Sequence, residues 1–430
     1  MRLRLLLLPF VLLVAACATL GGEGDTLDRI AADYVRMQLE AGEREPGYID
    51  AYYGPPEWQA AAKAAPRSPA ALTIAAAALR ERTRAIDPAR LDPMERRRRD
   101  FLLAQLRAAE TRLRMMNGQK LSFADEAEGL FGVRPQLRQL SDYDPVLARL
   151  ETLVPGTGPL AERVDAFQER FTIPPDRLRP VMEAAIAECR RRTAAQIPLP
   201  PEERFTLEFV TGKSWSGYNW YKGGATSLIQ INTDLPVRIS RAVDLGCHEG
   251  YPGHHVYNML LEQKLAKERG WIEYTVYPLY SPQSFIAEGS ANYGIDLAFP
   301  AEERLSFETG TLYPLAGLPA ADAPRFLALM QATKALAGAR FTIAADYLEG
   351  RIDRARAVAL TQKYQLVSKP RAEQSVAFID QYRSYVINYG LGEEMVREWV
   401  EAAGPSQQAR WRRMAQLLSE PTLPSDLARR

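Results

Sequence analysis

The chain has almost no histidine: three in 430 residues, His248, His254 and His255. It has only three cysteines, Cys17, Cys189 and Cys247, too few for a disulfide scaffold. It carries no surplus charge, with 54 Lys plus Arg against 53 Asp plus Glu. That balance argues against nucleic acid or a strongly charged partner. After the N-terminal run no segment is apolar for long enough to cross a bilayer. There is no internal repeat and no low-complexity tract. The single strong basic cluster, Arg96 to Arg99, sits between Glu95 and Asp100 in a helical stretch, and the expectation is a solvated, ion-paired face.

The N-terminal run points to a compartment. Arg2 and Arg4 precede an apolar stretch, Leu5 to Val14, that is shorter than a membrane span. Small residues then lead into a cysteine, Val14-Ala15-Ala16-Cys17. This resembles a secretory signal ending in a bacterial lipobox, with cleavage before Cys17 and a lipid on its thiol. Ala18 in place of an aspartate after the cysteine resembles outer-membrane sorting. The expectation is a lipoprotein of the bacterial cell envelope, anchored at Cys17 to the outer membrane and facing the periplasm. Residues 1–17 leave the fold, and 18–25 form a tether. Cys189 and Cys247 then remain, and one disulfide or a buried free Cys247 thiol are both open.

Most of the rest reads as helix. Asp92-Pro93 is a helix start, with Asp as N-cap and Pro at the first helical position. Phe101, Leu102, Leu106 and Leu113 recur at helical spacing after it. Helical period also marks 176–189, 158–171, 322–348, 353–364, 371–388 and 405–419. Ile197-Pro198-Leu199-Pro200-Pro201 stops a helix and stiffens the chain. It divides a helical lobe at 26–200 from a catalytic lobe at 201–430. Beyond it, 205–210 and 227–232 alternate and are rich in β-branched and aromatic residues, so they read as strands. Such a sheet either offers an edge to an extended peptide or caps the core.

All three histidines lie in His248-Glu249-Gly250-Tyr251-Pro252-Gly253-His254-His255. Clustered imidazoles are metal ligands before they are anything else. The zinc-peptidase pattern H-E-x-x-H is not present, because position 252 is proline. Six residues of regular helix turn a side chain by about 240°, so His254 meets His248 only across a break, which Pro252 and Gly253 provide. His255 meets it instead along a kinked but continuous helix. Spacing leaves both open. A catalytic zinc takes three protein ligands and an open position, so a carboxylate is expected. Glu288 stands in an apolar, small-residue helical segment, Phe285 to Tyr293, where an unpaired acid is expensive. Asp244, one turn before His248, is placed to orient its ring or to be an exposed charge.

These residues resemble a widespread bacterial family, known as a domain of unknown function, that is grouped with the gluzincin-type zinc metallopeptidases. Its hallmark His-Glu-x-x-Pro-Gly-His corresponds to His248 through His254. A second, Glu-Gly-bulky-Ala, corresponds to Glu288-Gly289-Ser290-Ala291, with Ser290 departing from the usual aromatic. The resemblance implies a mainly α, zincin-like helical fold with a small sheet near the active-site helix. It further implies zinc on His248, His254 and Glu288, with Glu249 as general base. Tyr385 and Tyr389, four apart on one face, are candidate oxyanion donors or core tyrosines. The function expected is a peptidase acting on peptides or peptide-like amides in the envelope. A zinc amidohydrolase, or a metal-holding lipoprotein without catalysis, are the alternatives.

Overall fold

The computed structural model describes residues 25–428; Cys17, with the signal and all but the last residue of the tether, lies outside them. The fold is mainly α-helical. The helix Pro93–Met116 starts as its sequence dictates. Asp92 accepts from the backbone of Met94 and Glu95 while Glu95 returns to the backbone of Asp92, a reciprocal cap. Its buried face carries Phe101, Leu102, Leu106 and Leu113. Helices Leu160–Glu169, Leu178–Ala194, Arg354–Gln365 and Gln407–Ser419 also form where the apolar period lies.

Two stretches expected as single helices are broken. The 322–348 stretch is Ala323–Thr333, a 3-10 turn Lys334–Leu336, and Ala337–Leu348. The 371–388 stretch is Lys369–Tyr382, then Arg383 at φ +53, a 3-10 turn to Val386, and Ile387–Glu401. The second break has a clear cause. The buried Glu126 carboxylate accepts from Arg383 Nε at 2.8 Å, Ser384 N at 3.1 Å and Ser384 Oγ at 2.7 Å. An acid buried this deeply holds the donors that satisfy it, and the helix yields.

The strands are β1 (Ile49–Tyr52), β2 (Arg204–Val210), β3 (Gly217–Gly223), β4 (Thr226–Asn232) and β5 (Val276–Pro278). β2 and β4 are the two read from alternation. β3 comes from the Gly-, Trp- and Tyr-rich stretch that sequence pattern left unassigned. The sheet runs β2-β4-β3, with β2 parallel and β3 antiparallel to β4. β1 pairs antiparallel with β5 and so delivers an N-terminal segment to the chain just ahead of the helix Pro282–Ala298. One hydrophobic core draws on residues from Leu27 to Leu427, on both sides of Ile197–Pro201. Among the described residues no helix is long and apolar enough to cross a membrane.

The basic cluster corrects one expectation. Arg97 reaches Glu420 and Arg99 caps the Ile86 carbonyl, but Arg98 is buried. Its guanidinium forks onto Glu273 at 2.6 and 2.9 Å and reaches Asp28 at 2.6 Å. The Glu273 side chain is 0% exposed, so helical period alone could not reveal that this arginine faces inward. Removing one partner strands a buried charge at about 3–5 kcal/mol. Glu273→Ala is therefore expected to lower unfolding stability by that order in urea titrations, and the exposed-face variant Arg96→Ala by less than about 0.5 kcal/mol.

Candidate metal centre

The helix Ser240–Leu245 runs on as a π-helical turn, Gly246–Gly250, which carries His248 and Glu249. π-turns are enriched at functional sites because they re-aim side chains. Tyr251 is extended, and a new helix, His254–Leu261, begins after Gly253. A Cβ on Gly253 would lie 1.8 Å from the His248 carbonyl oxygen, so only glycine lets the chain double back here. The return brings His254 Nε2 to 3.1 Å from His248 Nε2. Cys247 is bonded to Cys189 across 58 residues of sequence, which resolves the thiol question and staples the π-turn to the helix Leu178–Ala194.

The third group arrives on the helix Pro282–Ala298, buried along almost its whole length. A Cβ on Gly289 would sit 2.5 Å from the Gly392 carbonyl oxygen, so this helix and Ile387–Glu401 meet backbone to backbone. Glu288 projects from that seam. Its Oε2 is 3.2 Å from His248 Nε2 and its Oε1 3.7 Å from His254 Nε2. Tyr385 donates its hydroxyl to Oε1 at 2.8 Å, while Oε2 is buried without a hydrogen-bond partner.

These donors fit zinc. A tetrahedral zinc with bonds near 2.0–2.1 Å separates its ligand atoms by about 3.3–3.4 Å; the two imidazole nitrogens are 3.1 Å apart, and Glu288 stands 3.2 Å from His248 through Oε2 and 3.7 Å from His254 through Oε1. The electrostatics agree. Burial opposes charge on His254, yet the carboxylates of Glu288, Glu249 and Asp50 outweigh it and hold that ring's pKa at about 9. Burial likewise opposes the Glu288 carboxylate, but His254 and His248 carry it far below the usual range. The surrounding carboxylates thus favour positive charge at this point. Glu249, 4% exposed, brings a carboxylate oxygen within 4.8 Å of both ring nitrogens. Burial raises its pKa, which strengthens it as a proton acceptor. Glu288, nearer to ligand spacing, is the better third donor.

Three sequence expectations change here. Asp244 does not orient His248: it pairs with Arg304 at 2.9 Å and Arg241 at 3.4 Å. Asn292 Oδ1 instead meets His248 Nδ1 at 3.1 Å, which leaves Nε2 free to bind. Asn292 lies one helical turn after Glu288, a spacing that could have flagged it. His255 turns away from the site, its Nδ1 on Ser227 at 2.7 Å and its Nε2 on Glu203 at 3.0 Å, with Tyr251 donating to the same carboxylate. Tyr385 is occupied by Glu288, so it positions that carboxylate. The Tyr389 ring stacks at 6.3 Å from His248, and no described residue bonds its hydroxyl.

The centre lies in a cavity of about 370 Å³, within the range of small-molecule sites. The edge strand β3 lines one side with Gly217, Tyr218 and Asn219, and Asn219 Nδ2 holds the Glu249 carbonyl at 2.6 Å. Asp50, from β1, also lines it and accepts from the Tyr218 hydroxyl; burial lifts its pKa to about 6. Nothing in the sequence connected Asp50 to a motif some two hundred residues away.

No family model and no curated protein matches this chain. Solved structures do. A protein described as a lipoprotein, from Colwellia psychrerythraea, is alike over 83% of this chain and 65% of its own, at 16% identity and TM-score 0.51. The chain thus spans just under two thirds of that protein's length. The M32 carboxypeptidase of Deinococcus radiodurans R1 aligns over 92% and 90% of the two chains at 13% identity and TM-score 0.49. A lipoprotein of unknown function from Shewanella oneidensis aligns over 85% and 76%, at 13% identity and TM-score 0.44. The Colwellia likeness speaks to the fold alone.

Because Asn292 sets the ring that Asp244 was expected to set, Asn292→Ala should weaken zinc binding about 10–100-fold, measured by competition with a chromophoric chelator. Asp244→Asn, by contrast, should leave that affinity within about threefold, since Asp244 touches neither imidazole. Equal losses in the two variants would contradict the assignment.

Proposed function

We propose that this protein is a zinc-dependent hydrolase, a peptidase of the bacterial cell envelope. One observation carries the reading: three donor residues, His248, His254 and Glu288, stand close together beside a further buried carboxylate, Glu249, and all four line one cavity. A purely structural zinc is closed by four protein ligands and has no use for Glu249. His255, the one further histidine, is engaged elsewhere. Zinc held by His248, His254 and Glu288 would polarise a substrate carbonyl and make water a better nucleophile.

The chain's own residues supply the rest. Glu249 takes a proton from the attacking water and returns it to the leaving amine. Burial, which lifts its proton affinity, suits both halves of that task. Tyr389 stays protonated, because burial and the Glu288 charge push its pKa well above 10. Its unbonded hydroxyl is the donor available to an oxyanion. Tyr385 and Asn292 hold Glu288 and His248 in register. The β3 edge beside Glu249 suits main-chain pairing with an extended peptide. The Cys189–Cys247 disulfide fits an oxidising compartment, as does the lipidation proposed at Cys17, with the outer membrane as the destination.

The test is metal content and turnover of residues 18–430. Wild type should hold about one zinc per chain. His248→Ala should lose it. Glu249→Gln should keep it and lose about 10²–10⁴-fold in hydrolysis of a peptide library. Absence of stoichiometric metal after zinc is supplied would overturn the reading.

A further inference from the structure

Three consecutive helices, Ala337–Leu348, Arg354–Gln365 and Lys369–Tyr382, contribute to the cavity wall. Each carries a buried donor that the protein leaves unused. The Nε of Arg340 is buried without a hydrogen-bond partner, and so are Gln365 Nε2 and Ser375 Oγ. All three residues line the cavity. The other arginines there are engaged. Arg241 pairs with Asp244, and Arg371 donates to the Pro236 carbonyl at 2.7 Å.

Arg340 is set apart by its surroundings. Its guanidinium lies against two aromatic rings, 5.1 Å from Phe378 and 5.8 Å from Tyr389. No carboxylate among the described residues pairs with it. Burial lowers its pKa, and the one group that pushes back is Tyr389. A buried guanidinium without an acid is expensive, and its fork is shaped to grip a carboxylate with two parallel hydrogen bonds. Gln365 and Ser375 supply further donors, with Gln365 and Arg340 on helices that pack on the Ser375 helix.

Position makes the ligand specific. Tyr389 neighbours both groups, its ring 5.8 Å from the Arg340 guanidinium and 6.3 Å from the His248 imidazole. The guanidinium is thus at most about 12 Å from the His248 ring, so no more than about one or two residues of chain separate a carboxylate held by Arg340 from the centre. Asp50, Glu249 and Glu288 line the same cavity around the proposed zinc and offset its charge, which leaves Arg340 as a cation there with no acid partner. A substrate carboxylate is therefore directed to the arginine wall.

We propose that Arg340, with Gln365 and Ser375, binds the free terminal carboxylate of the substrate, so that the enzyme removes residues from the carboxyl end of a peptide. This rests on the hydrolase reading of the adjacent centre, and the test separates the two.

N-acetylated tetrapeptides would be offered as free acids and as C-terminal amides to zinc-loaded wild type, Arg340→Gln, Arg340→Lys and Ser375→Ala, with cleavage followed by mass spectrometry. Calorimetric binding of the same peptides to zinc-free protein gives a readout independent of turnover. Zinc content and thermal unfolding report whether each variant is folded. Wild type should prefer acids over amides by about 10–100-fold, the range of one or two charge-assisted hydrogen bonds. The ratio should collapse in Arg340→Gln, mainly through KM, and fall partway in Arg340→Lys. If Arg340→Gln does not fold, the wild-type ratio and Ser375→Ala carry the test. Hydrolysis of acids and amides at equal rates would overturn the carboxylate subsite and leave the hydrolase standing. Acid-selective binding that Arg340→Gln abolishes, without any cleavage, would uphold the subsite and overturn the hydrolase. Failure of the acids to bind or be cleaved would overturn the subsite.

Discussion

A carboxylate is buried between two imidazoles, and much of the surrounding structure serves to keep it there. Glu288 sits in the middle of a helix that has almost no contact with solvent. A lone charge at such a place would be neutralised or expelled. Here it is retained by His248, His254 and the Tyr385 hydroxyl. Each of those three groups depends on a backbone irregularity. His248 rides a π-turn, His254 follows a glycine that tolerates contact with the His248 carbonyl, and Tyr385 follows Arg383, whose positive φ ends a helix. The irregularities are stabilised from outside the site: the Cys189–Cys247 bond holds the π-turn, and Glu126 holds the Arg383 break.

The cavity carries charges of both signs. Acids crowd the metal end, where Glu249, Glu288 and Asp50 together create a potential that favours a cation. Arg340 has no acid to answer it. Beside them stand tyrosines whose hydroxyls stay protonated because burial disfavours the phenolate. An elongated polar substrate with a carbonyl in its middle and a negative end meets complementary groups along its length. This polarity, more than the cavity's size, separates the proposed peptide substrate from an uncharged amide.

Much of the site was legible in the sequence because metal chemistry restricts residue type. Three histidines in one short stretch, and one glutamate among small apolar residues, are improbable for other purposes. A helix break between His248 and His254 was legible as one of two alternatives, since Pro252 and Gly253 permit either a break or a kink. Orientation was not. Asp244 is one turn from His248, as an orienting acid would be, but Arg304 and Arg241 claim it. His255 was an equal candidate by spacing until Glu203 and Ser227 were seen to occupy both its nitrogens. Arg98 read as solvated because it lies in a charged run between Glu95 and Asp100, and its partner Glu273 lies 175 residues away.

The sequence by itself determined the helical class, the reciprocal cap at Asp92, strands β2 and β4, and the donor types at the centre. Those properties are local: periodicity, capping and ligand chemistry are settled within a few residues of chain. Tertiary structure alone decided which groups face the donors. Asp50 arrives through the β1–β5 ribbon, Asn292 takes the place expected of Asp244, and Arg340 and His248 come to share Tyr389 as a neighbour. The physical reason is that burial and pairing of charge depend on which helices approach closely, and that approach is set by contacts such as Gly289 against Gly392 between residues far apart in the chain.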